Sequence, residues 1–388
     1  MFKANTGSST NANAKIAGAE AAAKAKEGLD SLKMAYVYAS CVYDLDAMMA
    51  GIQDEMPGVP VIGNTSFTGV ITPEGYISGS DGFIGIMAIS DSDMTVGIAA
   101  IEKEGNAVAN GEKLAKMAME KAGRNTPPDY FYMVASSAEE EFYLKGITKV
   151  IGRVPFYGGT AADNSIAGEW KLYTDKGSFA DGCAVAFFYT DKKVTNKFTG
   201  AYRETTDMGV ITSINGNRTL VEIDGVPAVE KYAAWRKMNA EDLKGGNLLV
   251  ATITSPLGVK DRLGDLVAIR HPMNGNDDMS MAIGNQLAVG TAVIRMEGSV
   301  DELIDSVGKT LVELKEKMDT PAGAYHLVHC GGRRAGIGDR INEVADAMIK
   351  EANGVPFIAE FTFGEYGYEK DGLNTCGGLM LSFTGFEK

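Results

Sequence analysis

The chain has 388 residues, too many for one ordinary hydrophobic core, so about two domains are expected. Lysine and arginine number 37 against 51 acidic residues, a formal charge of −14, and such a surface repels phosphate backbones and anionic lipid headgroups. Nucleic-acid and membrane-surface roles are therefore excluded as readings, and no apolar run nears the ~20 residues a bilayer span needs. Residues 1–30 contain no apolar signal core, which points to a cytoplasmic protein. Its 47 glycines far exceed the usual share of about 7% and are not periodic, suggesting tight turns or close backbone approach to a ligand. The four cysteines are widely spaced and read as buried thiols.

In chain order, residues 1–12 are polar and predict a frayed end. Asn13–Lys33 favours a helix through its Ala, Lys, Glu and Leu content. Residues 34–41 read as a strand, Asp44 caps a helix closed by Pro57-Gly58, and Val59-Pro60-Val61-Ile62 re-enters the sheet, running into Gly63–Gly69. After a turn, Asp81-Gly82 leads into the strand FIGIMAIS. The order then recurs. Residues 129–137 form a strand, Ser137 and Glu140 have the spacing of a capping box, Val154-Pro155 leads into Gly158–Asn164, and Asp181-Gly182 precedes CAVAFFYT. A third copy closes the chain, with a strand at 323–330, a helix from Arg340 to Ala352, Val355-Pro356, and the strand LMLSF.

Between the second and third copies, VITSI and TLVEI flank Asn215-Gly216-Asn217, a hairpin signal. A helix follows Asp224-Gly225, then strand pieces LLVATI, LVAIR, SMAIG and GTAVIRME, and a helix from about Ser299 to Met318. The fold class predicted is α/β or α+β, with mixed β-sheets flanked by helices and one strand–helix–strand unit used three times. The organisation predicted is a helical lead over 1–33, an N-terminal domain over 34–215 holding two copies, and a C-terminal domain over 216–388 holding the third.

Strand ends feeding helix N-termini collect free N–H groups and positive dipole ends. The third copy is the richest: Cys330–Asp339 is a Gly-rich stretch with Arg333 and Arg334 adjacent, a pair able to clamp a carboxylate or phosphate bidentately, and Asp339 is a helix cap. It matches neither phosphate-binding glycine motif.

These segments resemble the FIST (F-box and intracellular signal transduction) sensory domains, N-terminal plus C-terminal. The resemblance runs from about Ala35 onward and rests on Gly63–Gly69, Tyr157–Asp163, the strand after Asp181-Gly182, Glu222–Ala228, Arg270 with Pro272, Cys330–Arg334, Phe363-Gly364-Glu365 and Asn374-Thr375. It implies an intracellular sensory protein that binds a small metabolite, such as an amino acid or another carboxylate, and signals through a separate partner such as a histidine kinase. The ligand contacts it suggests are Arg333, Arg334, Glu365, Asn374, Thr375, Thr65, Ser66 and Arg270, with Glu365 and Asn374-Thr375 reading the far end of the ligand.

Some members of the family carry haem and sense nitric oxide. No cofactor is expected here, because three histidines are few, but His271 beside Pro272 is the best axial-ligand candidate. His326 and His329 lie an odd number apart and face opposite ways. An enzyme using His329-Cys330 remains an alternative class, though neighbours on a strand diverge. A ligand-free scaffold is a third.

Overall fold

The computed structural model describes residues 1–260, 265–370 and 372–388. Its organising feature is one unit used three times around a common axis. The first copy comprises β1 (Lys3–Ser9), α1 (Ala14–Lys26), β2 (Leu32–Ala39), α2 (Leu45–Glu55), β3 (Val61–Thr65), the hairpin β4 (Val70–Thr72) and β5 (Gly75–Ile77), and β6 (Ile84–Ser90). The second repeats it as β7 (Thr95–Glu102), α3 (Ala107–Lys121), β8 (Tyr130–Ala135), α4 (Glu140–Ile151), β9 (Phe156–Thr160), β10 (Leu172–Thr174), β11 (Gly177–Phe179) and β12 (Gly182–Tyr189).

The third copy begins with β13 (Val194–Thr199) and is then interrupted. An inserted module holds β14 (Arg203–Asn215), β15 (Thr219–Ile223), β16 (Val226–Pro227), α5 (Ala228–Arg236), β17 (Leu257–Lys260), β18 (Val267–Arg270), β19 (Pro272–Gly275), β20 (Met281–Ile283) and β21 (Ala292–Glu297). These eight strands form their own sheet. The copy resumes with α6 (Val300–Lys317), β22 (Ala322–Cys330), α7 (Gly331–Ile337), α8 (Ile341–Ala352), β23 (Phe357–Thr362), β24 (Glu365–Gly367), β25 (Thr375–Gly377) and β26 (Leu381–Glu387).

Three six-stranded sheets share one strand order: β1-β6-β2-β3-β10-β11, β7-β12-β8-β9-β24-β25 and β13-β26-β22-β23-β4-β5. In each, the two central strands are parallel (β2 with β3, β8 with β9, β22 with β23) and their neighbours antiparallel, so the sheets are mixed as the sequence predicts. The last two strands of every sheet come from another copy. The first copy's hairpin extends the third sheet, the second copy's extends the first, and the third copy's extends the second. The three copies are thereby interlocked and bury each other's sheet edges.

The central strands are apolar along their whole length because both faces are covered. Helices cover the outer faces: α1 and α2 on the first sheet, α3 and α4 on the second, α6 and α8 on the third. The inner faces meet in a core of Tyr36, Ile62, Tyr157, Val328, Ile358 and their neighbours. A fully buried polar network lies within it. Asn64 Nδ2 donates to Glu360 at 2.9 Å, Tyr132 Oη donates to Glu360 at 3.0 Å, and Tyr38 Oη lies 3.0 Å from His326 Nε2. Three equivalent backbone bonds close the strand ends into a ring: Phe67 N–H to Phe361 O (2.9 Å), Ala162 N–H to Thr65 O (3.0 Å) and Phe363 N–H to Thr160 O (3.0 Å).

Several local expectations change. Residues 3–9 are not frayed but pair with β6, because a strand there completes the first sheet. The first helix ends at Lys26, and residues 32 and 33 already belong to β2. Ser137 does not cap α4. The cap position is Glu139, with no side-chain bond, and Glu140 instead turns inward toward Arg218. Asp339 is not a cap either, since the Gly-rich stretch is itself helical and Cys330 caps α7, its Sγ accepting from Gly332 N–H at 3.2 Å. LLVATI forms turns rather than a strand. Of the four thiols, all free, Cys41 is only half-buried.

Candidate functional site

The residues proposed from sequence separate into two groups. Arg333 is wholly buried: Nη1 donates to Gly200 O at 2.7 Å, and Nη2 to Leu303 O at 2.9 Å and Ser306 Oγ at 2.6 Å. It ties α7 to α6 and to the end of β13, and its guanidinium faces packed protein rather than a cavity. Arg334 stacks on Tyr76, 5.0 Å from the ring centroid, and donates to its hydroxyl at 3.0 Å and to Gly338 O. The expected arginine clamp is thus two structural contacts. Buried Glu365 accepts from Thr362 Oγ1 at 3.0 Å and Met380 N–H at 2.9 Å, and burial pushes its carboxyl up to about 8. Thr65 exchanges bonds with the Lys171 backbone and Ser66 with Gly69 O and Phe361 N–H, so both close the ring of strand ends.

The second group comes together. Arg270, Asn374 and Thr375 share the wall of a cavity of about 430 Å³. One side is α4, which presents Glu141, Leu144, Lys145 and Thr148, spaced to lie on a single helix face. Opposite run Asn374, Thr375 and Cys376 of the third copy's hairpin. The inserted module supplies the end, through Arg270 and Gln286. Both halves of the chain therefore build this site.

Arg270 is held in place by backbone. Nε donates to Gln286 O at 3.0 Å, and Nη1 to Cys376 O and Ile269 O at 3.2 Å each. Burial pulls its pKa down, yet an arginine stays charged. Among the described residues Nη2 has no acceptor and the guanidinium has no carboxylate partner. The cavity's carboxylate, Glu141, is already satisfied: Arg218 pairs with it and Gln286 N–H donates to it at 3.0 Å. Arg218 also meets Glu140 at 3.0 Å, whose carboxyl is raised to about 7 by burial and then by Glu141. Among the described residues, two buried amide atoms at the wall, Gln286 Nε2 and Asn374 Oδ1, have no partner.

Comparison with the other copies shows what sets this groove apart. The equivalent space between α2 and the hairpin β10–β11 is about 310 Å³, and its lysine, Lys176, is paired with Asp175 at 2.6 Å. In the third copy α8 packs directly on β5. The inserted module converts one of three related grooves into a cationic pocket. Lys145, Arg153, Glu141 and Gln286 went unnoticed in the sequence. A helix-face Lys four residues from a Glu was visible, but nothing local tied it to Arg270.

Haem does not fit the histidines. His271 Nε2 lies 2.8 Å from Leu249 O, in a packed interior that holds its pKa down at about 4. His326 is inside the central network, and His329 packs edge-on against Phe361 with Nδ1 3.0 Å from Cys330 O. Nor do His329 and Cys330 form a dyad, since the thiol accepts from Gly332 and Leu379 N–H groups. No group of metal-ligating side chains occurs among the described residues, and no described helix is long and apolar enough to cross a membrane.

Residues 33–226 match the model of the FIST N domain, and residues 228–368 that of the FIST C domain. The chain belongs to the FIST family. FIST domains are associated with sensory roles in signal transduction. No curated protein matches this FIST protein's sequence. Among solved structures it is similar to a cyanuric acid hydrolase from A. caulinodans, at 8% identity over all of both chains with a TM-score of 0.36. It is also similar to phosphoribosylformylglycinamidine synthase II from Thermotoga maritima, at 12% identity over all of this chain and 72% of that one, with a TM-score of 0.23. Likenesses this slight carry no argument about chemistry.

Proposed function

We propose that this FIST protein is an intracellular sensor that binds a small carboxylate-bearing metabolite, an amino acid or another organic acid, in the Arg270 cavity. It signals through a separate partner such as a histidine kinase and is not an enzyme. The observation that carries this reading is Arg270 itself: a part-buried guanidinium whose Nη2 has no acceptor among the described residues, set at the end of a cavity whose one acid is neutralised by Arg218. Such a group recognises a carboxylate through charge-assisted hydrogen bonds. The site lies where the inserted module meets α4, so occupancy can bias how the two halves sit, which is what a sensor requires. Glu365 and Cys330, whose acidities burial shifts strongly, are sealed inside the fold, away from any substrate.

The test is calorimetry with organic acids and amino acids on the intact protein. Binding of a carboxylate should weaken about ten- to hundred-fold in Arg270→Gln, the usual effect of losing one charge-assisted contact. Unchanged affinity in Arg270→Gln would place the ligand elsewhere.

A further inference from the structure

The cavity has a direction. Arg270 and Gln286 sit beside Glu141, in the first turn of α4, while Thr148 lies near the helix's other end and Arg153 just beyond it. From Glu141 to Thr148 the helix rises about 10 Å, at roughly 1.5 Å per residue. Lys145 lies between, exposed at the mouth, and Arg153 is held there over Tyr368, 4.4 Å from its ring centroid, while donating to Lys370 O at 3.1 Å. Neither Lys145 nor Arg153 has a carboxylate partner among the described residues. The middle of the wall is apolar, formed by Leu144 and Cys376. The sequence of surfaces along α4 is therefore the cation of Arg270, an apolar middle flanked at the mouth by Lys145, and the cation of Arg153 at the far end.

We infer that the ligand carries two acidic groups separated by an apolar spacer, the chemistry of an α,ω-dicarboxylate, lying along α4 with one end on Arg270 and the other between Lys145 and Arg153. This deepens the reading of the Arg270 cavity and rests on it. A zwitterionic ligand would need a free carboxylate for its ammonium group, and Glu141 is already held by Arg218 and the Gln286 N–H. An extended dicarboxylate of about six carbons fits the distance along the helix, and its methylenes meet Leu144 and Cys376 without desolvating a polar group. One acidic end alone would leave the cations at the mouth in water and gain nothing from them.

The experiment is titration calorimetry of the full chain with three probes of equal length: adipate, hexanoate and 6-aminohexanoate. Adipate should bind at least ten-fold more tightly than the other two, and the double variant Lys145→Met/Arg153→Gln should bring adipate to the level of hexanoate. Arg270→Gln should weaken adipate and hexanoate by similar factors. If hexanoate or 6-aminohexanoate equals adipate while Arg270→Gln still weakens binding, the second acidic group is refuted and the carboxylate site at Arg270 stands. If adipate is preferred but Lys145→Met/Arg153→Gln leaves it unchanged, the placement along α4 is refuted. If no probe binds, or Arg270→Gln changes nothing, both readings fall. Both mouth residues are exposed, so their variants should fold normally, and a thermal melt confirms it.

Discussion

Gly146 of α4 rests against the backbone of α3 so closely that a Cβ added to it would lie 2.0 Å from Val108 O. The contact is reciprocal, since a Cβ on Gly111 of α3 would lie 2.3 Å from Tyr143 O. The first copy repeats the device, with Gly51 against Lys15 O at 2.0 Å and Gly18 against Met48 O at 2.3 Å. In the third, Gly308 of α6 faces Ala347 at an ordinary 3.6 Å. Part of the glycine excess thus serves helix crossings rather than turns.

The glycines should separate in a stability measurement. Gly146→Ala forces the two helices apart and should cost about 1–3 kcal/mol, as overpacking does, even after the gain in helix propensity. Gly308→Ala has room and should be neutral or stabilising by up to about 1 kcal/mol. Urea denaturation of both variants checks the pair, and equal effects would show that the close crossing is not the cause.

Arg333 should behave as a fold residue and not as a ligand contact. In Arg333→Met the carbonyls of Gly200 and Leu303 and the Ser306 hydroxyl lose a buried charged donor, and each acceptor left unsatisfied should cost about 1–3 kcal/mol. Arg334→Met, removing a half-buried stack on Tyr76, should cost about 1 kcal/mol or less. Below the melting temperature, carboxylate affinity should be unchanged in both. A selective loss of affinity in Arg333→Met would return it to the binding site.

Stability should depend on pH with two opposed limbs. His271 and His329 are held down at about 4 and about 3 by burial, so between those values and about 6.5 the unfolded chain takes up protons the native one refuses, and stability rises with pH. Glu365 is raised to about 8, so from about 4.3 upward the native state keeps a proton the unfolded state has lost, and stability falls as pH approaches 8. At about 1.4 kcal/mol per unit the falling limb is worth a few kcal/mol. Glu365→Gln should lessen the fall in melting temperature between pH 6 and 8, leaving the part that Glu140, raised to about 7, contributes, and should steepen the acid limb, where Glu365 opposes the histidines. A parallel shift of the whole profile would show that Glu365 does not titrate there.

The threefold unit was legible because each copy carries its own local markers: an apolar run, a cap or turn, and a Val-Pro re-entry into the sheet. What local pattern could not show is where the hairpins go. Val70–Thr72 pairs with Ala359 and Glu360 across most of the chain, and no short-range signal specifies such a partner. The same limit applies to the site. Arg333 and Arg334 stood out as adjacent charges in a Gly-rich stretch, a pattern equally suited to a helix start that anchors its neighbours. Arg270, Asn374 and Thr375 were picked out through family resemblance alone, and only the docking of the inserted module on α4 shows that they share a cavity with Lys145.

The fastening of that module is open to a direct test. Arg218 reaches from the module to Glu140 at 3.0 Å and to Glu141, while Nη1 donates to Gly284 O at 2.6 Å. Removing it leaves two carboxylates adjacent with no cation between them, and Glu140, already raised to about 7, would hold its proton more firmly. Arg218→Met should therefore lose about 3–5 kcal/mol, with the loss greatest above pH 7, where Glu140 is driven to ionise. Carboxylate affinity should fall as well, because Glu141 no longer has Arg218 beside it and returns a negative charge to the cavity. Adding Glu140→Gln to Arg218→Met should restore part of the stability but not the affinity, whereas adding Glu141→Gln should restore part of both. A double-mutant cycle read by thermal melts and calorimetry separates these outcomes. If Glu140→Gln and Glu141→Gln rescue affinity equally, the charge of Glu141 does not govern the cavity.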